Sequence, residues 1–179
     1  MRVAVHRRVG SKRPRVLVKA SQTRPQCAAD APGTPTIVAD EWALAERGPA
    51  RPGLIAPFEA WLESPAGAGV WVEGDDKVEE IAPRILEAPV VAVRFAAFAD
   101  GRGLTFGKLF RTRYGYTGEL RAFGEIVPDL TEYMYRCGFD TFVLADRRQA
   151  EAAIACIQRM SDHYQGSSRQ LPAYRRTAG

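Results

Sequence analysis

From residue 69 onward the chain alternates two kinds of apolar spacing. Unbroken runs, VWVE at 70–73, PVVAVRF at 89–95, ELRAF at 119–123 and TFVLA at 141–145, have the β-branched and apolar content of buried strands. Between them apolar residues recur three and four apart, as in Phe106, Leu109 and Phe110, then Leu130, Tyr133, Met134 and Cys137, then Ala150, Ala153, Ile154 and Ile157 with Tyr164 beyond. That spacing is the inner stripe of a helix. The punctuation agrees: Asp75 or Asp76 starts a short helix over 75–82 that Pro83 bends or ends. Thr105 caps a helix over 104–114 that Gly115 closes, and Pro128 opens one that Gly138 ends. Asp146 and Gln149 form a capping box for the last.

Strands that are apolar on both faces, separated by helices, point to a parallel sheet with helical crossovers. The expected fold class is α/β, a four-stranded mainly parallel βα repeat preceded by a short N-terminal strand and helices. Sequential strand order would make it half of a (βα)8 barrel, and a reversal would make it a small doubly wound sheet. A half-barrel leaves open edges, which call for the N-terminal elements or a second subunit, so a homodimer is one expected state. Upstream, 36–39 reads as a strand, 41–46 as a short helix carrying Trp42, and 57–63 as a helix begun by Pro57. Trp42 and Trp61 read as packing anchors.

Charge divides the chain. Eight basic residues, Arg2 to Arg24, precede the first acid, Asp30, so the other 17 basic side chains face all 21 acidic ones. The overall +4 therefore belongs to the front of the chain and hides an acidic body. Residues 1–35 are expected to be a disordered basic leader and linker, 36–165 a single α/β domain, and 166–179 a flexible tail. The leader lacks aromatic interleaving and an apolar helical stripe, which disfavours nucleic acid as partner. No apolar run reaches the roughly 18 residues of a membrane span and no signal-peptide core is present, so no membrane is expected and the location is cytoplasmic. Cys27, Cys137 and Cys156 lack metal spacing, and Cys137 and Cys156 fall on apolar helix faces.

The loops after parallel strands form the functional rim of such folds. Each such loop carries an acid: Glu73, Asp100, Glu125 and Asp146. Converging carboxylates could hold a divalent cation or keep one acid protonated for proton transfer, which makes Asp100 and Glu125 candidate catalytic residues and Glu73, Asp100 and Glu125 candidate metal ligands. Asp146 reads as a helix cap. The stretch 98–124 carries Asp100, Arg102, Lys108, Arg111, Arg113 and Arg121 among six glycines. Gly101 and Gly103 allow the backbone to approach an oxyanion while Arg102 and Arg121 offer planar donors, so these four are the candidate ligand-binding residues. A strand arginine must be paired, and Asp100 or Glu125 is the expected partner of Arg94 and Arg121. Lys108, Arg111 and Arg113 read as a solvated helix face. No phosphate loop, dinucleotide fingerprint or histidine-paired nucleophile is present, and no cofactor is evident.

The run FADGRG from Phe98, LFRTRYGYTGELRAFG from Leu109 and YRCGFD from Tyr135 resemble an uncharacterised proteobacterial domain-of-unknown-function family over about 69–164, and more weakly over 40–42 and 55–61. Genes of that family commonly neighbour sulfite reductase, and its members carry the label of an oxidoreductase of sulfite reduction. The resemblance implies a role in assimilatory sulfate or sulfite reduction, as an accessory or an oxidoreductase, with sulfite reductase or another sulfate-assimilation protein as partner. It supplies no catalytic motif, so whether the chain is an enzyme stays open. The alternatives are a carboxylate-based enzyme using a divalent metal and a dimerising scaffold without catalysis.

Overall fold

The computed structural model describes residues 16–20, 34–65, 67–160, 163–169 and 171–172. The expectations for the rest of the leader, for Cys27 and for the end of the tail fall outside the described residues.

One sheet of eight strands runs through the molecule in the order β2-β1-β8-β7-β6-β5-β4-β3. In chain order these are β1 Val16–Lys19, β2 Thr36–Val38, β3 Ala43–Leu44, β4 Leu54–Pro57, β5 Gly69–Glu73, β6 Val90–Phe95, β7 Glu119–Gly124 and β8 Thr141–Leu144. The helices are α1 Phe58–Glu63, α2 Val78–Ile85, α3 Arg102–Thr112, α4 Thr131–Arg136, entered through a 3-10 turn at Pro128–Leu130, and α5 Arg147–Gln158. β3 to β8 are mutually parallel and in sequential order, whereas β1 joins β8 antiparallel and β2 joins β1 antiparallel. The order is that of a half-barrel, with no reversal.

The four central strands stand where the apolar runs place them, but the sheet has twice that number. β1 lies within the stretch expected to be leader, and of β4 only Pro57 was assigned, as the start of a helix. Residues 41–46 do not form a helix: Ala43 and Leu44 pair with Leu54 and Ile55 as the edge strand β3. β2 stands where a strand was expected, whereas β1, β3 and β4 escape the sequence pattern because they are short and fixed by pairing with neighbouring strands.

Side-chain alternation separates the two faces. Val70, Val72, Val91, Val93, Leu120, Ala122, Phe142 and Leu144 pack under the helices with Ile81, Ile85, Phe106, Phe110, Met134 and Ala153. Leu17, Ile55, Val90, Ala92, Phe123 and Val143 line the other face with Val38, Trp42, Leu44 and Trp71, without any helical residue. The helices thus cover one face and the sheet curls with the other inside.

The curl follows from connectivity. β2 and β3 are opposite edges of the sheet, yet only residues 39–42 join them. Five Cα steps reach at most about 18 Å, whereas eight flat strands would hold their edges about 33 Å apart. The sheet must therefore bend until this strap closes its mouth.

Pro83 does not end α2, which continues two residues past it. Proline has no N–H to give the carbonyl four residues back, and the helix runs past it without that one bond. Thr105 is not a cap either: α3 begins three residues earlier, after Gly101.

Candidate functional site

The loops after β5, β6 and β7 are neighbours on the rim, because their strands are. Glu73 ends β5 and accepts from Arg94 Nη1 at 2.8 Å, which answers the question of the Arg94 partner in favour of neither Asp100 nor Glu125. Asp76 accepts from the Glu73 N–H at 2.9 Å and closes the turn. Burial, above all, raises the Asp76 carboxyl above its ordinary pKa, with Asp75 adding to it.

After β6 the chain turns at residues 96–99 and enters α3. Asp100 Oδ1 accepts from the Arg102 N–H at 3.1 Å and from its Nε at 2.9 Å, and Asp100 Oδ2 accepts from Nη2 at 2.7 Å. Asp75 reaches the same guanidinium, 3.3 Å from Nη1. The Arg102 hydrogen bonds hold the Asp100 carboxyl down at about 2. Asp100 therefore does what Thr105 was expected to do, steadying the start of α3, and it carries its charge throughout the physiological range. These hydrogen bonds favour the charged form of the carboxyl, which accepts hydrogen bonds.

Glycine is required at closures of this rim, among them the two that pack on Phe95. A Cβ on Gly103 would lie 2.8 Å from the Phe95 ring, so α3 packs onto β6 only through a bare backbone. Gly124 has φ +108° and its absent Cβ would sit 2.3 Å from the Phe95 carbonyl oxygen. That residue leads into Glu125, whose N–H donates to the same carbonyl at 2.8 Å. Gly101 is the residue before α3, with negative φ, and a Cβ there would make only an ordinary contact with Leu104 at 3.9 Å.

Asp146 caps α5 by accepting from the Gln149 N–H at 2.8 Å, the first half of the expected capping box, while the Gln149 side chain accepts at 3.4 Å from the Ala145 N–H, one residue before the cap. Asp100, Gly101, Arg102, Gly103 and Glu73 thus share one region, with Glu125 on the adjoining loop. Among the described residues no three His, Cys, Asp or Glu side chains come together as a group that could hold a metal ion.

Arg121 stands elsewhere. It is the third residue of β7, in register with Ala92 of β6 and Thr141 of β8, and its side chain lies inside the curl, 1% exposed. Its partners are Glu119 and Asp40, not Asp100 or Glu125. The rim and the interior arginine are two places, so the stretch 98–124 does not form one binding surface.

Arg111 also departs from expectation. Instead of a solvated helix face, its guanidinium reaches beneath the sheet to the Gly138, Tyr116 and Gly118 carbonyls and to the Asp140 carboxylate. A helix-surface reading fails here because the carbonyls come from loops that only the fold brings together. Arg113 keeps the exposed place assigned to it.

The rim has one feature that charge reasoning missed. Phe98, at the tip of the loop between β6 and α3, is 65% exposed. Sequence alone gave little signal, because Phe98 stands among Ala96, Ala97 and Ala99 in an apolar stretch that continues the strand run. The strand ends and loops of this rim carry Glu73, Asp75, Asp76, Asp100 and Glu125 against Lys77, Arg94 and Arg102, a net negative charge.

Residues 69–174 match a family described as bacterial protein of unknown function (DUF934). No curated protein and no solved structure matches the chain.

Proposed function

The chain belongs to that bacterial family of unknown function (DUF934), and we propose that it is an accessory protein of sulfite reduction which docks a redox partner on the rim of its half-barrel. The observation that carries this reading is Phe98, left 65% in water on a loop bordered by carboxylates. An aromatic side chain ringed by polar groups is the usual centre of a binding surface, where desolvating one large ring supplies most of the affinity. The partner that fits has an apolar pocket with basic residues around it. Its attraction is long-ranged, so salt weakens it.

Resemblance in the Phe98 to Gly124 run and around Tyr135 supplies the identity of the partner, sulfite reductase. A protein surface suits the rim better than a free oxyanion does. Arg102 is already satisfied by Asp100 and Asp75, and the surrounding charge is negative. Sulfite would have to displace a carboxylate from it.

Biolayer interferometry with purified sulfite reductase tests the proposal. The wild-type chain is expected to bind, with affinity falling as salt rises, and Phe98→Ala is expected to weaken it at least about tenfold, the range of a hot-spot residue. No binding by the wild type, or equal binding by Phe98→Ala, would sink it. Saturable sulfite binding abolished by Arg102→Gln would restore the oxyanion reading of the rim in its place.

A further inference from the structure

Inside the curl, Arg121 has two kinds of partner. Its Nε and Nη2 donate to Glu119 Oε1 at 3.0 and 2.8 Å, and Thr141 Oγ1 donates to the same oxygen at 2.8 Å. Lys19 Nζ stands 3.9 Å from the other Glu119 oxygen. Glu119, Thr141 and Lys19 all belong to strands, so this half of the arrangement is as rigid as the sheet.

The other half is not. Nη1 donates to both oxygens of Asp40, each at 2.9 Å. Asp40 lies in the strap of residues 39–42 that closes the mouth, and its side chain is 33% exposed while Arg121 beneath it is 1% exposed. Ala39 and Glu41 are exposed too. Among the described residues, the side-chain hydrogen bonds that tie residues 39–41 to the sheet are those of Asp40 to Arg121. The strap is a short cover whose exposed part, residues 39–41, is tied down by the Asp40 carboxylate while Trp42 packs on the inner face, so residues 39–41 are the part that can open locally.

Charge makes the arrangement specific. Lys19 and Arg121 against Glu119 leave one positive charge, and Asp40 supplies the balancing negative one. With Asp40 withdrawn, a guanidinium edge already stripped of water would face the mouth with two free N–H directions, the chemistry that recognises oxyanions. We propose that Arg121 anchors an internal site for a small oxyanion, a carboxylate or a sulfur or phosphorus oxyanion, and that Asp40 is its built-in competitor. The strap is closed when Asp40 holds Nη1 and open when the anion does. This rests on the interior geometry alone and is independent of docking at Phe98.

Thermal melting of the full chain with Asp40→Ala, in sulfite, sulfate, phosphate, acetate and chloride at matched ionic strength, tests the site. The variant is expected to melt below the wild type and to recover saturably in one or more of the oxyanions but not in chloride, and the anion that restores most identifies the class. Addition of Arg121→Gln should abolish the recovery. If Asp40→Ala does not fold, Asp40→Asn, which keeps an oxygen for the Trp42 N–H, replaces it in the same titration. In the wild type the Trp42 N–H donates to Asp40 Oδ1 at 3.0 Å, so the same anion should speed exchange of that amide several-fold. Recovery no better than in chloride, or persisting with Arg121→Gln, overturns the site. Recovery without faster Trp42 exchange in the wild type overturns the competition.

Discussion

Arg169 donates from Nη2 to Asp140 Oδ1 at 2.7 Å and so fastens the chain beyond α5 to the loop that enters β8. The Asp140 carboxylate is wholly buried, and its other oxygen accepts from Arg111 and from the Leu120 N–H at 2.8 Å. One acid therefore joins α3, β7 and the C-terminal segment. The stretch from residue 166, expected to be a flexible tail, has at least Ser168 and Arg169 docked, with Ser168 bonded to the Arg136 carbonyl.

Removing that acid strands two cations. Burial disfavours the charged form of Arg111, as its lowered pKa shows, and Asp140 is the main group that opposes this. Asp140→Ala is expected to cost about 3–5 kcal/mol, the range for breaking a buried pair from one side. Arg169→Gln, which leaves Asp140 with Arg111, should cost less. Urea titrations of the two variants check the order, and equal losses would contradict the shared role.

The glycine at the end of β7 allows a cleaner measurement. Gly124 and Gly48 have nearly the same positive φ, +108° and +102°, but a Cβ would meet the Phe95 carbonyl at 2.3 Å in the first case and nothing within 4 Å in the second. Gly48→Ala should cost about 1–2 kcal/mol, the strain of the left-handed conformation. Gly124→Ala should cost clearly more, and the difference between the two denaturation midpoints reports the contact alone. Equal costs would mean that β6 and β7 can part at that point.

The elements legible in sequence are those whose signal is local. Three-and-four spacing finds α3 to α5, and the unbroken runs find β5 to β8. What stayed hidden is held by distant pairing: Val16–Lys19 is a strand because β8 offers it an edge, and Ala43–Leu44 because β4 does. The site followed the same rule. Asp100 and Arg102 were found together since they are two residues apart. Asp40 and Arg121, 81 residues apart, could not be. The signature runs proved to hold many fold-fixing contacts: Arg111 with Asp140, Tyr116 Oη donating to the Ala88 carbonyl at 2.8 Å, Gly124 against Phe95.

Asp76 makes a prediction with a definite sign. Its carboxyl pKa is raised on folding from 3.8, so in the window just above that value the folded chain binds more protons than the unfolded one. Stability contributed by this group therefore falls as pH rises through the window and stays lower at neutral pH. Asp76→Asn retains an oxygen for the Glu73 N–H and drops the charge, so it should raise the melting temperature at pH 7 and lose that advantage below about pH 4, where aspartate is largely protonated. A variant less stable than wild type at pH 7 would show that the hydrogen bond to the charged form outweighs burial.

The rim carboxylates should affect association without holding the fold. The Arg94 and Glu73 side chains are each about a third exposed, at 34% and 36%, and such pairs contribute about 0–1 kcal/mol. Glu73→Gln with Asp75→Asn should therefore leave the urea midpoint nearly unchanged. In complex formation their charges act at a distance, raising the rate at which a basic partner arrives. If the proposed docking holds, the double variant slows association with sulfite reductase severalfold at low salt and flattens its salt dependence, while dissociation, assigned to Phe98 in that proposal, changes little. Stopped-flow mixing over a salt series separates the two. A double variant that dissociates faster but associates at the wild-type rate would place those carboxylates inside the contact and not at its electrostatic border.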